Sequence, residues 1–576
     1  FSVGNFYNRT DSDSRYVNVD GDTMTGTLAL NVSGSSHLTT TTSGTSNLVL
    51  GVNAGNSIAS GGNYNVALGD EAGTAITTGD RNIAIGFEAG TAISTGGENV
   101  AIGYQALKTE DGNGLNIAIG SEALENLNAG ADAYNIAVGH NAGKNVTTGL
   151  YNNIIGGLAG DAITTGDENI AIGVNTLTAE TAGNKTIAIG GGALAAQNSS
   201  SDTDMHNTAV GYHAGNDITT GVENTILGSL AGDAFTDADY NVAIGKAALS
   251  ADTKGSQSTA VGTNALQSQN FTSSTVSYNT AVGYYAGQQL TTATRNTLIG
   301  ASSGASLTVG AKNTFVGNLT GDGTDDGSRN TAVGLEALSA NCGDNNAAFG
   351  NDALQYCAAD NNTAVGFRAG ESITSGTQNV FMGTYTGDGG DDSSYCTALG
   401  YAAMSNANFG DGNTAVGWSS GFSITGINNT VVGNAAGYSL TSGGNNLFLG
   451  MDAGRTGSPG GNQTTGSGSI ALGDENIGDA YIQVDWTISS DQRDKTDFTA
   501  LDVGLDFVKQ LNPVTYKWDK RSKYIDKTDV TTYDENGKVK HKGWDLTTDL
   551  DTITTDGTHK EDWLDIGFKA QEVEAL

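Results

Sequence analysis

A short pattern of apolar and polar residues recurs along most of the chain. It reads Asn, apolar, Ala, apolar, Gly, as in NVALG (65–69), NIAIG (82–86) and NVAIG (99–103). We count 25 copies between NLVLG (47–51) and SIALG (469–473), and most of their glycines are 17 residues apart. A fixed period of this length is typical of a protein built from stacked repeats.

The two apolar positions of the pattern share a parity, so they lie on one face of a short strand. The residue before the glycine is apolar in all 25 copies, and the residue three before it is mostly Val, Ile, Leu or Thr. We predict that this face lies inside the coil. The residue between them is Ala in 17 copies, which predicts that the opposite face packs closely against a neighbouring chain.

The other positions of the repeat predict how the chain turns. Asn stands before the strand in 21 copies, where it suits left-handed backbone or a ladder of stacked amides. The glycine suits a tight corner, and a second short segment such as GYHAG (211–215) leads to a polar turn such as ITTG (76–79). Two short strands and two turns predict one coil of a parallel β-solenoid, because Gly, Asn, Thr and Val at this density exclude a helical repeat.

Longer gaps between some repeats indicate a second level of order. Gly139, Gly211 and Gly283 are 72 residues apart, and each begins a block of four coils. In the first two blocks the fourth coil ends in a long loop, at 193–207 and 265–279. We infer duplication of a four-coil unit, and we interpret the loops as surface insertions in preference to ligand contacts.

Composition and charge exclude several classes of protein. With 84 Gly and only 2 Pro the chain is not collagen, and 37% hydrophobic against 15% charged residues opposes disorder. Residues 1–488 carry 13 Lys and Arg against 43 Asp and Glu, within a net charge of −36 for the whole chain. An acidic rod without a long apolar run predicts no nucleic-acid partner and no membrane insertion. We expect no cofactor.

The repeats resemble the heads of trimeric autotransporter adhesins. The likeness rests on NTAVGYHAG (207–215) and NVAIGKAAL (241–249) and extends over residues 45–473. It implies a left-handed parallel β-roll in a homotrimer, so the expected fold is a mainly β, trimeric parallel β-solenoid. The preceding segment, 1–44, contains GDTMTG (21–26), which resembles a segment of bacteriophage tail fibres.

The C-terminal part is similar to the intramolecular chaperone auto-processing domain that ends phage tailspikes and many tail fibres. The matching stretches are SSDQRDK (489–495), LDFVKQLNPVTYKW (505–518) and GFKAQEVEAL (567–576). The resemblance implies a small α+β domain over 490–576. We predict that residues 474–489 form the distal tip of the solenoid or a linker to this domain. A Thr- and Asp-rich, hairpin-like insert occupies 530–562. The family usually continues with more helix, so we expect the domain to be truncated.

The same resemblance assigns a self-cleavage site to this junction. A serine hydroxyl needs a base, and a lysine with a lowered pKa is able to act as one. By the family precedent Ser490 attacks the carbonyl of Ser489, which moves the acyl group from the amide nitrogen to the serine oxygen, and hydrolysis of that ester then separates the chain between these two residues. Lys495 is the base, and Asp491 and Arg493 complete the motif. We expect no turnover of an external substrate, since no carboxylate pair marks a glycosidase.

Three further groups of residues are weaker candidates. Two Gly-rich loops carry aspartates that could bind calcium. These are Asp322, Asp325, Asp326, Asp388, Asp391 and Asp392. Because the loops lack the Glu of an EF-hand, we favour solvated loops without a metal. Some repeat glycines are followed by an aromatic residue, namely Phe87, Tyr104, Tyr212, Tyr284, Phe367 and Trp418. A sugar could stack on such rings, but we favour packing of the rings between chains. Cys342 and Cys357 are about one repeat apart. A disulfide between neighbouring coils is therefore an alternative, although we favour two free thiols.

Together these patterns predict a trimeric phage tail fibre in the virion. Its partners would be the tail or baseplate and a host surface receptor, either a glycan or a surface protein. A bacterial cell-surface trimeric adhesin built from the same modules is the alternative. A polysaccharide-degrading tailspike is the third hypothesis.

Overall fold

The computed structural model describes residues 42–406, 408–477, 509–517, 529–533, 539–544, 554–560, 565–567 and 569. By its internal contacts the chain divides into two compact units, Phe1–Asp479 and Ala480–Leu576, and each is described by itself. Of the predicted N-terminal connector, 1–44, only the last three residues are described. Within these described ranges no helix has the length and apolar character needed to cross a membrane.

The first unit is one long parallel sheet to which every copy of the sequence pattern contributes a three-residue strand. Its 25 strands confirm the predicted β-solenoid. The second strand predicted for each coil is wrong, because the segment after the corner glycine, such as 87–92, is a turn. Each strand pairs in register with that of the next coil, as Val66–Leu68 does with Ile83–Ile85. In chain order, and including four two-residue strands outside this sheet (β9, β11, β15 and β17), the strands are β1 (Leu48–Leu50), β2 (Val66–Leu68), β3 (Ile83–Ile85), β4 (Val100–Ile102), β5 (Ile117–Ile119), β6 (Ile136–Val138), β7 (Asn153–Ile155), β8 (Ile170–Ile172), β9 (Gly183–Asn184), β10 (Ile187–Ile189), β11 (Thr203–Asp204), β12 (Thr208–Val210), β13 (Thr225–Leu227), β14 (Val242–Ile244), β15 (Gly255–Ser256), β16 (Thr259–Val261), β17 (Thr275–Val276), β18 (Thr280–Val282), β19 (Thr297–Ile299), β20 (Thr314–Val316), β21 (Thr331–Val333), β22 (Ala347–Phe349), β23 (Thr363–Val365), β24 (Val380–Met382), β25 (Thr397–Leu399), β26 (Thr414–Val416), β27 (Thr430–Val432), β28 (Leu447–Leu449) and β29 (Ile470–Leu472).

The two faces of these strands are the reverse of the prediction. The middle residue, such as Ala84, points into the coil and is completely buried. The flanking Ile83 and Ile85 point outward and are only half-buried. The same alternation holds in the other core strands from β2 onward, so the alanine face is not available to a neighbouring chain.

The narrow interior of the coil explains this reversal. In the coil of Ala84, the strand alanine shares the interior with a second buried alanine from the following segment, Ala89, and with one larger side chain from the closing turn, Ile93. Because a protein interior is close-packed, two methyl groups and one isoleucine fill such a turn. A pair of branched side chains per strand has to lie outside.

The glycine that ends each strand forms the predicted tight corner. Gly86 has a φ of 127°, outside the range of ordinary residues. A Cβ there would lie 2.5 Å from the carbonyl oxygen of Gly103 in the next coil. Stacking at about 4.8 Å therefore leaves room for hydrogen only at this position.

The asparagines before the strands form the predicted ladder, although its rungs mostly join side chain to backbone. Asn65 is completely buried. Its Nδ2 donates to the carbonyl oxygen of Gly79 (2.9 Å), and its Oδ1 accepts from the backbone N–H of Asn82 (2.8 Å). The left-handed residue is not the asparagine but the one before it, as in Tyr64 (φ 60°) and Arg81 (φ 59°).

The two enlarged loops, 193–207 and 265–279, have the same construction. Each contributes one two-residue strand that pairs in parallel with a turn of the preceding coil. β11 pairs with β9, and β17 pairs with β15. The loops therefore extend the solenoid by a small second sheet at each site.

The second unit is described only in part. Lys509 and Gln510 are helical and are followed by β30 (Val514–Tyr516), which pairs antiparallel with β33 (Asp565–Gly567). β31 (Asp529–Tyr533) and β32 (Val539–Trp544) form an antiparallel pair at the start of the predicted insert. Strand follows helix here in the order that LDFVKQLNPVTYKW predicts.

Candidate functional site

The predicted self-cleavage residues lie outside the described part of the chain. They fall within the segment 478–508, and they are Ser489, Ser490, Asp491, Arg493 and Lys495. The serine–lysine dyad and its scissile bond therefore stay predictions from the sequence.

The outward face of the core sheet carries one continuous row of apolar residues, which we call the outer stripe. It consists of the residue directly before each corner glycine, and the row beside it, three places before the glycine, is mixed, with Thr in 11 of the 25 strands. Ile155 (40% exposed), Leu227 (47%) and Ile299 (39%) are examples from three successive blocks. Twenty-five strands spaced about 4.8 Å apart make the stripe ~120 Å long. Monomeric proteins rarely expose an apolar patch above a few hundred Å², so the outer stripe is the leading candidate for an interaction surface.

A buried polar network anchors the first enlarged loop. Glu180 is completely buried, and its Oε1 accepts from the backbone N–H groups of Gly183 (2.7 Å) and Ser199 (3.0 Å). Gln197 Nε2 donates to Glu180 Oε2 and to Thr186 Oγ1, both at 2.9 Å. Gln197 Oε1 in turn accepts from Asn207 Nδ2 (2.9 Å). A single carboxylate thus ties the loop to two coils.

The same network recurs one block later. Asp252 Oδ1 accepts from the backbone N–H groups of Gly255 and Phe271, both at 3.0 Å, and its Oδ2 accepts from Gln269 Nε2. Gln269 Oε1 accepts from Asn279 Nδ2 (2.9 Å). Burial raises the pKa of Asp252 above its usual value. These acids were not predicted from the sequence, although they and their glutamine partners stand seven residues after the corner glycine, where most coils have an apolar residue.

The calcium candidates do not converge on a site. Among the described residues no group of three or more His, Cys, Asp or Glu side chains could hold a metal ion. Asp322 and Asp388 are half-buried, and each has one carboxylate oxygen without a hydrogen-bond partner. Desolvation raises both pKa values, that of Asp388 to about 6. The other four aspartates, Asp325, Asp326, Asp391 and Asp392, are exposed.

Several of the singled-out aromatic rings contact the ring of the next coil. Phe87 and Tyr104 stack with centroids 5.7 Å apart, and Phe367 meets Tyr385 edge-on at 5.4 Å. Trp418 is 52% exposed. Their packing against other chains stays a prediction.

The three cysteines are free and buried. Burial raises the pKa of Cys342 to about 12 and that of Cys396 to about 11, so these thiols are unreactive at neutral pH. Cys357 shows the same direction of shift. The bridge between Cys342 and Cys357 that the sequence left open is not present.

Comparison with known proteins identifies the C-terminal part. Residues 490–576 match the family model described as the chaperone of endosialidase. No curated protein and no solved structure matches the chain. The matched segment begins at Ser490, the predicted nucleophile. Together with the β-solenoid, this match fits a tail fibre or tailspike with an intramolecular chaperone.

Proposed function

We propose that this chain is the subunit of a trimeric phage tail fibre that attaches the virion to its host. One observation carries the proposal: a chaperone-of-endosialidase segment follows a solenoid whose outer stripe is left uncovered. A second and third copy of the same rod would cover that stripe. The number three rests on the resemblance of the repeats to trimeric adhesin heads.

The chaperone gives this assembly a starting point. Three parallel rods have to align before their outer stripes meet, and unaligned sheets would aggregate through their exposed edges. A module that trimerises first sets the register at one end. Cleavage at Ser489–Ser490, with Ser490 as nucleophile and Lys495 as base, then removes the module and makes unfolding hard to reverse.

Intact mass spectrometry of the purified protein, denatured and native, tests assembly and cleavage together. We expect the denatured wild type to give two fragments, 1–489 and 490–576, and the native sample to contain three solenoid chains. Ser490→Ala should give an uncut chain that is still trimeric, whereas the neighbouring Ser489→Ala should still be cut. Normal cleavage of Ser490→Ala would refute the proposed dyad, and a monomer in the native sample would refute the proposed trimer.

Adsorption to cells tests the attachment function. Fluorescently labelled fibre is mixed with a panel of bacterial strains, and we expect saturable binding to some of them and none to the rest. Binding to no strain of the panel contradicts the proposal. Release of oligosaccharide from capsule by the purified fibre would favour a polysaccharide-degrading tailspike instead.

A further inference from the structure

A run of three glycines opens a cleft in the side of the solenoid. In every other coil at least one of the two positions after the corner glycine carries a side chain, and both do in the coil that follows, with Tyr212 and His213. In the coil of Gly190 both positions are glycine, Gly191 and Gly192. The space that they leave is a cleft of about 600 Å³, which we call the triglycine cleft.

Apolar and polar groups meet in this cleft. Its apolar walls are Leu158, Val174 and Tyr212, and the last two are each 60% exposed. Tyr212 is set against His213, with ring centroids 4.2 Å apart. One large ring next to an aliphatic wall makes a platform for a flat apolar surface, so for Tyr212 we take the alternative of sugar stacking in place of the packing between chains that the sequence favoured.

The polar groups of the cleft are a carboxylate, two amides, a hydroxyl and an imidazole. They belong to Asp161, Asn175, Asn216, Thr178 and His213. Asp161 Oδ1 is buried and has no hydrogen-bond partner, and the same holds for the corresponding Asp233 Oδ1, so this unpaired oxygen belongs to the repeat and is not specific to the cleft. Asn216 Oδ1 lies 3.4 Å from where a Cβ on Gly192 would stand, so the missing side chain is what uncovers it.

We propose that the triglycine cleft binds a neutral saccharide unit of the host surface. A pyranose has an apolar C–H face for Tyr212 and hydroxyls that donate to the carboxylate and amide oxygens. An anionic ligand is disfavoured because the solenoid part of the chain is strongly acidic. A protein partner would need a footprint much larger than one cleft. This inference rests on the proposed host attachment and gives it a receptor class and a place.

The duplicated block offers matched control positions. Thr263 and Asn264 stand 72 residues after Gly191 and Gly192, so the corresponding site is filled by side chains. Tyr284 repeats Tyr212 and is set against Tyr285 at the same 43° tilt that Tyr212 makes with His213. Gly191 is outside the left-handed region, and a Cβ there meets only ordinary contacts at 3.7 and 3.8 Å. A side chain at Gly191 therefore fills the cleft without straining the backbone.

Calorimetric titration with defined probes tests the site. The probes are malto-, cello- and chito-oligosaccharides, sialyllactose as the anionic comparison, and surface polysaccharide from a strain that adsorbs the fibre. We expect a neutral probe to bind, with a loss of at least tenfold in Gly191→Tyr and Tyr212→Ala. The matched variants Thr263→Tyr and Tyr284→Ala should stay within twofold of wild type.

The possible failures are distinguishable. If the fibre adsorbs to cells but no neutral probe binds, or Gly191→Tyr binds as well as Thr263→Tyr, the cleft proposal is overturned and attachment stands. Preference for sialyllactose also overturns it. If the fibre adsorbs to no strain, the proposed function itself fails.

Discussion

Removal of one rung from the asparagine ladder is the sharpest test of how the solenoid is held together. Asn152 is completely buried in the coil of β7. Its Nδ2 donates to the carbonyl oxygen of Gly166 (2.8 Å), and its Oδ1 accepts from the backbone N–H of Asn169 (3.0 Å). Both backbone partners are themselves buried. Asn152→Ala leaves these two groups without partners.

The expected cost follows from those two groups. A buried donor or acceptor that loses its partner costs about 1–3 kcal/mol. Two of them should lower the free energy of unfolding by about 2–6 kcal/mol per chain. A water molecule that enters the vacated space would bring the loss toward the lower end.

Urea unfolding followed by circular dichroism measures the effect, with all variants at one protein concentration because association adds to apparent stability. The control is Asn434→Ala, which removes an exposed asparagine and should change stability by no more than about 0.5 kcal/mol. If Asn152→Ala costs as little as the control, the ladder does not hold the coils together and the reasoning is refuted.

A natural exception to the ladder supplies a rescue experiment. In the coil of β10 the ladder position is Thr186, and Gln197 of the same coil bridges from Thr186 Oγ1 to Asn207. The residue corresponding to Gln197 in the coil of Asn152 is the buried Ile163. The double change Asn152→Thr with Ile163→Gln should therefore recover part of the stability that Asn152→Thr alone loses.

Three further predictions follow from the outer stripe and the buried polar groups. The triple variant Ile155→Asp, Leu227→Asp and Ile299→Asp places three charges on the outer stripe. Its native mass should correspond to one chain and not to three, and an intact trimer would show that the outer stripe is not the interface. Asp388 has a folded pKa of about 6, so the native state binds its proton more tightly and stability should fall as pH rises from about 4 to 6. Asp388→Asn should reduce this slope and add about 1 kcal/mol at pH 7, since solvent screening of the half-buried group reduces the full shift; unfolding at both pH values measures it, and no gain at pH 7 counts against the assignment. Gln197→Ala should open its enlarged loop to limited proteolysis while the matching loop one block later stays protected, and equal cleavage of both would contradict the network.

Periodicity was enough to predict the strands, the corners and the ladder, because each depends on residues close in sequence. Every one of the 25 motif copies became a strand, and each corner glycine is required by the next coil. The buried acids were missed because Glu180 and Asp252 look like ordinary polar turn residues. Only their position within the repeat indicates that they are buried, because other coils have the buried Ile93 or Phe235 at that position. The spacing of residues in the sequence does not predict the geometry around Ser490, because that geometry depends on how distant segments pack.

The reversed strand faces change what the repeat says about the whole fibre. Parity alone separates two faces without saying which is inside, and the larger apolar residues are the usual choice for a core. Here a coil closes on the methyl groups of Ala84 and Ala89, so Ile83 and Ile85 contribute little to its interior. Yet an apolar residue recurs at the position of Ile85 in all 25 copies. A surface residue that is apolar in every repeat is explained by a contact outside its own coil. In the proposed trimer, this recurring apolar residue therefore serves the contact between chains more than the fold of one chain.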